Sequence, residues 1–548
     1  MKKILMLSVG ILAVTVPAAH ADVRLPGVFA DHLVLQRGVQ LPIWGTADPG
    51  EGVTVKLAEQ SVKTVADADG KWRVELAALA ADTAPLTLTV SGKNTLTFSD
   101  VLVGEVWLAS GQSNMGSPVS SLPNAEAVLA QAEDAELRFF TVTKKTAAEP
   151  QTDLMGKWEA SNPQTAKGFS AVAYYFAREL RRTRKCPVAV LHGSWGGTPI
   201  ETWISLDGLK REPPLTKTLE QWEKAAGQYR KVQADPKIAT DYVAELQRWK
   251  KEVESSFNAA SKAYNAAKAA GKPVGEKPKP AWPEPTNPDP MGMPSPSRRP
   301  QTPAVSFNGM IAPLTPYAIR GVIWYQGEAN GSAGLDYRAL FPRLIQDWRR
   351  HWGTEFPFLY VQLPACGTDP GPVAESGWPW TREAQCLALS EPRTGMAITI
   401  DVGDPNNVHP ADKFDVGQRL ALLARRDVYG EKIVASGPLF RAFVVEGDKI
   451  RLHFRELGGG LTPGQAPWRA AGGEPLPTDR LIGFYIAGED HKWVAAEAKI
   501  EGDSVLVANA AVPKPRAVRY GWSSSPRCNL YNREGLPASP FRTDTWPK

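Results

Sequence analysis

Cysteine is scarce in this chain. The four residues, Cys186, Cys366, Cys386 and Cys528, lie far apart, with no CxxC pair and no histidine at metal-ligand spacing beside them. That excludes a zinc-ribbon module and a CxxC redox motif, and a chain of this length needs no disulfide framework to hold a core. Histidine is nearly as scarce, with seven in 548 residues. An excess of one charge is missing too: 63 Lys and Arg stand against 58 Asp and Glu, a net charge of +5. The one dense basic run, Arg181-Arg182-Thr183-Arg184-Lys185, closes a predicted helix, where cations suit the helix dipole. Neither nucleic acid nor an anionic membrane is therefore expected as a partner. Past the N-terminus no apolar run reaches membrane length, and no internal repeat is visible. No cofactor and no metal is expected. Oligomeric state and cysteine pairing have no readable signature.

What is present begins with residues 1–21. Lys2-Lys3, the apolar Ile4–Val16 and Ala19-His20-Ala21 follow the charged, apolar and small-x-small pattern of an export signal. Its removal would leave a net charge of about +3 and a periplasmic or secreted protein. A 43% hydrophobic and 22% charged composition is that of a globular protein, and 548 residues are too many for one core. Residues 22–100 read as short strands, at 33–36, 41–45, 53–57, 71–76 and 86–90, separated by turn signals such as Asp48-Pro49-Gly50, and predict a β-sandwich module. From 101 to 429 the pattern becomes strand–helix alternation. Five apolar runs, at 101–108, 188–191, 320–325, 358–362 and 396–400, predict a three-layer α/β domain on a five-stranded parallel sheet. Between the second and third runs lies an insertion, 206–304: one or two Ala/Glu/Lys-rich helices near 215–270, then a Pro-rich, helix-free stretch at 272–303. Residues 430–548 turn β-like again and predict a C-terminal accessory module.

The run Val101-Leu102-Val103-Gly104-Glu105-Val106-Trp107-Leu108 stops in Ala109-Ser110-Gly111, and Gln112-Ser113-Asn114 follow. Ligands of open parallel sheets bind just beyond the carboxyl ends of strands, so Ser113 stands at the mouth of a crevice. Alone it reads first as a serine capping the next helix, with Asn114 bracing the turn. Three later stretches change that reading. A base is offered by His409, in the Gly/Pro/Asn-rich loop Asp401–Pro410 after the fifth run. Gly193-Ser194-Trp195-Gly196-Gly197, after the second run, offers an unobstructed backbone N–H. Gln326-Gly327-Glu328, after the third, offers a side-chain amide. A serine nucleophile, a base and oxyanion donors at the ends of successive strands are what acyl transfer requires.

In that order GQSN at 111–114, GG at 196–197, WYQGE at 324–328 and His409-Pro410 resemble the successive blocks of the SGNH hydrolase superfamily. More closely, GEVWLASGQSNM, SWGGTPIETW, FNGMIAPL, IWYQGEAN and DVGDPNNVHPADK resemble the sialate O-acetylesterase-like carbohydrate esterases. The resemblance implies a three-layer SGNH-type (flavodoxin-like) domain and removal of O-acetyl groups from a carbohydrate. The substrates it implies are hemicellulose-type oligosaccharides such as xyloglucan or xylan, or sialic acid. It implies Ser113 as nucleophile, His409 as base, and the Ser113 N–H, Gly196 N–H and Gln326 amide as oxyanion hole. Where many members carry an aspartate three residues before the histidine, this chain has Asn406. Asp404 is the first substitute, Glu328 the second and Asp401 the third; a backbone carbonyl would also orient the ring. Trp203, with Glu201, is expected to shape the cleft. Arg527 and Tyr531, with Asn529 and Asn532, are expected to give it a wall from the C-terminal module. The alternative function is a catalytically inactive carbohydrate-binding protein on the same scaffold.

Overall fold

One long strand, Thr95–Gly111, joins two parts of the molecule. Its first half pairs antiparallel with Asp82–Ser91 in the N-terminal sheet, and Val34–Gln36 runs parallel to its middle. From Val101 to Gly111 every residue is buried, as a strand covered on both faces must be. The boundary expected at 100/101 thus falls inside a continuous strand. The computed structural model describes residues 22–269, 272–292, 300–369, 371, 377–464 and 475–546. The export signal expected at 1–21 lies outside them.

The five predicted runs form neighbouring parallel strands, in the order Thr394–Ala397, Phe358–Val361, Gly321–Tyr325, Thr95–Gly111, Val188–Ser194. The sheet is wider than five strands. Asp134–Val142 adds a parallel strand beside Val188–Ser194, and Gly156–Ser161 adds an antiparallel edge. The sequence reading missed both because neither is a continuous apolar run: exposed or half-buried positions interrupt each.

Alternation along the central strand separates two cores. Trp107 and Ala109 pack with Phe176 and Leu420, on the side of helices Ala171–Arg184 and Phe414–Leu423. Val106 and Leu108 pack with Phe341 and Trp348 of helix Gly334–Trp352 on the other. Side chains two apart on a strand share a face, so one run of sequence feeds both layers. Glu105, wholly buried, ties the layers to the N-terminal part through Arg37 at 2.6 Å and Arg320 at 2.8 Å.

The insertion is helical over Thr216–Ala234, Pro236–Trp249 and Ser255–Ala269. The proline-rich stretch folds back on it: the Trp249 indole N–H donates to the Trp282 carbonyl at 3.0 Å. The C-terminal part comprises a four-stranded antiparallel sheet around Lys449–Arg455 and a second around Phe484–Ala487 and Ala517–Tyr520. It is locked to the α/β part by Arg382, fully buried in helix Trp378–Leu387. The guanidinium donates to the carbonyls of Leu363 (2.8 Å), Pro364 (2.7 Å), Ser523 (2.6 Å) and Ser524 (2.7 Å).

Candidate active site

Register sets the site. Gly111 lies opposite Tyr325 on one side and Ser194 on the other, so three parallel strands end level. The residues that follow them, Gln112-Ser113, Trp195-Gly196 and Gln326, therefore emerge together. Gly111 is needed for the turn: its φ is +134°, and a Cβ there would lie 2.1 Å from the Tyr325 carbonyl oxygen. Ser113 opens the one-turn helix Ser113–Gly116.

His409 reaches this point from the other end of the domain. Its Nε2 lies 2.8 Å from Ser113 Oγ, across 296 residues of chain. Gly196 stands beside the pair, where a Cβ would come within 3.1 Å of Ser113 Cβ. Ser113, Gly196 and His409 line a cavity of about 540 Å³ together with His192, Ser194 and Lys144. His192 Nε2 and Ser194 Oγ are 2.8 Å apart, and burial pushes the imidazole pKa down to about 4, leaving a neutral ring. The Lys144 ammonium lies 6.0 Å from the Trp195 ring centroid. Sequence reasoning missed His192, Ser194 and Lys144. The first two sit in the HGSWGG stretch, three and one residues before Trp195, which was the available signal.

Gln326 is placed differently from expectation. It is wholly buried, and its amide nitrogen donates to Thr198 O at 3.2 Å and Asn330 Oδ1 at 2.8 Å, while its Oε1 accepts from Tyr337 Oη at 2.8 Å. An amide NH₂ has two protons, and here both brace the loop behind Gly196. Gln326 is a buttress of the oxyanion side in this arrangement, not a donor into it.

The loop of His409 is braced from within. Asp404 Oδ1 accepts the Asn406 N–H at 2.8 Å, and Asn407 Oδ1 accepts the His409 N–H at 2.9 Å. Glu328 is half-buried beside the loop, and its Oε1 accepts from the Asn114 amide. Burial pushes the Glu328 carboxyl above its usual range, against the opposing pull of the Asn114 hydrogen bond and the Lys413 charge. Asp401, the third substitute, is engaged elsewhere, in a two-pronged pair with Arg419 at 2.6 and 2.8 Å.

Three expected substrate contacts are corrected. Trp203 is wholly buried: its indole N–H donates to Thr198 Oγ1 at 2.9 Å, and its ring meets Trp324 edge-on at 6.2 Å. Tyr531 is buried as well, its hydroxyl donating to Asp401 at 3.2 Å. Both are packing residues, because the surfaces that cover them come from segments distant in sequence. Arg527 is exposed but does not line the Ser113 cavity; its N–H points to Asp369 at 3.4 Å. Asn529 and Asn532 are buried and donate to backbone carbonyls of Pro477, Arg480 and Ser436. Glu201 accepts from Asn330 at 2.9 Å and holds the same buttress as Gln326.

No protein-family model matches the chain. Among solved structures, a carbohydrate acetylesterase from Xanthomonas citri is 35% identical, with a TM-score of 0.74, covering 96% of this chain and all of that one. Among curated proteins, sialate O-acetylesterase of Mus musculus is 29% identical over 96% of this chain and 95% of its own length. The Homo sapiens enzyme is 28% identical over 96% and 93%. With a serine and a histidine in hydrogen-bond contact at level strand ends, the chain belongs to the sialate O-acetylesterase-like carbohydrate acetylesterases and is a carboxylic ester hydrolase.

Proposed function

We propose that this protein removes O-acetyl groups from a carbohydrate through an acyl-enzyme on Ser113, on an SGNH-type domain. The 2.8 Å contact between Ser113 Oγ and His409 Nε2 carries the reading. His409 takes the hydroxyl proton as Oγ attacks the acetyl carbonyl. The oxyanion rests on the backbone N–H groups of Ser113 and Gly196, whose loop Gln326 and Asn330 support. His409 then protonates the departing sugar alkoxide. Water attacks the acetyl-serine by the reverse sequence and releases acetate. Asp404, in the histidine's own loop, is the first candidate for the negative charge that balances the imidazolium. Glu328 is second, because burial disfavours its charged form. Neither metal nor cofactor has a step in this scheme.

The substrate class we favour is a hemicellulose-type oligosaccharide such as acetylated xyloglucan or xylan, acted on in the periplasm or outside the cell. A second reading, O-acetylated sialic acid, is favoured by Lys144: a cation beside an indole face in the Ser113 cavity suits a sugar that carries a carboxylate. Acetate release from a panel of acetylated neutral oligosaccharides and 9-O-acetylated sialic acid, with wild type and Ser113→Ala, decides both points. Loss of turnover in Ser113→Ala is expected. Unchanged turnover would overturn the mechanism, and glycan binding without acetate release would leave the inactive binding protein.

A further inference from the structure

Asn114, the residue after the nucleophile, is wholly buried and makes three hydrogen bonds to partners at least 214 residues away in the chain. Its Oδ1 accepts from Lys413 Nζ at 2.5 Å. Its Nδ2 donates to Glu328 Oε1 and, at 2.9 Å, to the carbonyl of Val408. An ammonium has only donors and a carbonyl only acceptor lone pairs, so these partners fix which end of the amide is which. The Val408 carbonyl belongs to the peptide unit that carries His409. The other polar group of that unit, the His409 N–H, is held by Asn407 Oδ1 at 2.9 Å. Both ends of the peptide plane are thereby anchored, one of them by the immediate neighbour of Ser113.

We propose that Asn114 is the positioning residue that sets the imidazole of His409 against the hydroxyl of Ser113, by clamping the Val408–His409 peptide to the nucleophile's own turn, with Lys413 and Glu328 holding the clamp in its working orientation. The inference rests on Ser113 and His409 being the reacting pair. Ser113 and Asn114 share one rigid turn, so a displacement of the turn carries the clamp and the base with it. Lys413 is well suited to its part. It is almost wholly buried, and burial draws its pKa down to about 8, opposed by the charges of Glu328 and Asp412. Its flat neighbour, the Tyr325 ring, lies 5.7 Å from the ammonium. Asn114 itself is wholly buried and does not line the Ser113 cavity, which separates its effect from substrate binding.

The test is hydrolysis of p-nitrophenyl acetate by Asn114→Ala and Asn114→Asp, with rates referred to active sites titrated by a fluorophosphonate. The aspartate keeps the shape but, ionised beside Lys413, has no proton for the Val408 carbonyl. A loss of 1 Å in placement costs about 100-fold in rate, so kcat is expected to fall about 100-fold in both, with KM within about threefold. In a His409→Ala background, Asn114→Ala should cost less than about threefold more, because residues acting through one another are not additive. A clamp with a merely structural role would lower the melting temperature and leave kcat per titrated site unchanged, and that result would overturn the proposal. So would losses that multiply in the double variant. Should Asn114→Ala not fold, Asn114→Asp carries the same test. Ser113→Ala separates the two ideas: retained turnover there ends the Ser113 mechanism, whereas a dead Ser113→Ala beside a wild-type Asn114→Ala ends only this one.

Discussion

Adding one methyl group at Gly196 should slow the enzyme without unfolding it. The Cβ of Gly196→Ala would lie 3.1 Å from Ser113 Cβ. Carbon atoms settle at about 3.5–4.0 Å, so the nucleophile or the loop must yield by about 0.5 Å. Ser113 Cβ carries the Oγ that makes the 2.8 Å contact to His409, so the shift disturbs that contact. If 1 Å costs about 100-fold, half of that costs about tenfold in kcat. The φ of Gly196 is not in the left-handed region, so alanine adds no backbone strain there. A chromogenic acetate ester and a thermal melt, run together, read the two effects. The expected result is kcat down about tenfold with the melting temperature within about 2 °C of wild type, since a substitution without backbone strain or buried polar loss, whose one tight contact is relieved by a small shift at a half-buried loop, costs about 0.5 kcal/mol. A kcat within twofold of wild type would show that the glycine is not packed against the nucleophile in solution. A large fall in melting temperature would show that the site, not the reaction, had been disrupted.

Two further outcomes concern stability. Arg382→Met leaves the buried carbonyls of Leu363, Pro364 and Ser523 without their donor, while Ser524 keeps the Cys366 N–H at 3.0 Å, and at about 1 kcal/mol each the variant should lose about 3 kcal/mol, read by urea unfolding; a loss below 1 kcal/mol would refute the lock on the C-terminal part. Asp544 is buried, which works to raise its pKa from 3.8, but the hydrogen bonds and charges of Arg519 and Arg542 outweigh burial and hold it lower. Its folded pKa lies below the unfolded one, so its contribution is complete above about pH 4 and is lost as pH falls through the folded pKa. The stability gap between wild type and Asp544→Asn should therefore be widest near neutrality and narrow below about pH 4; a gap independent of pH would contradict the ion pair.

Sequence patterns alone identify which runs become the central parallel strands and which residues stand at their ends. A buried parallel strand must be a continuous apolar run, and a crevice needs small and polar residues where that run stops, so Ser113, Gly196 and His409 were legible as local patterns. Asp134–Val142 and the edge strand Gly156–Ser161 were not, because exposed or half-buried positions interrupt each and leave no unbroken apolar run. Tertiary structure alone decided what each polar side chain does once it arrives. Gln326, Trp203 and Tyr531 carry the groups that a substrate site needs, and each meets an acceptor or a ring from a distant segment before any substrate could. Asn114 shows the converse. Its neighbours in sequence explain only a turn, whereas Glu328, Val408 and Lys413 converge on it because three strands end level and the last loop folds back over them. A hydrogen bond is satisfied by whatever partner the fold brings within about 3 Å, and sequence distance says nothing about which partner that will be.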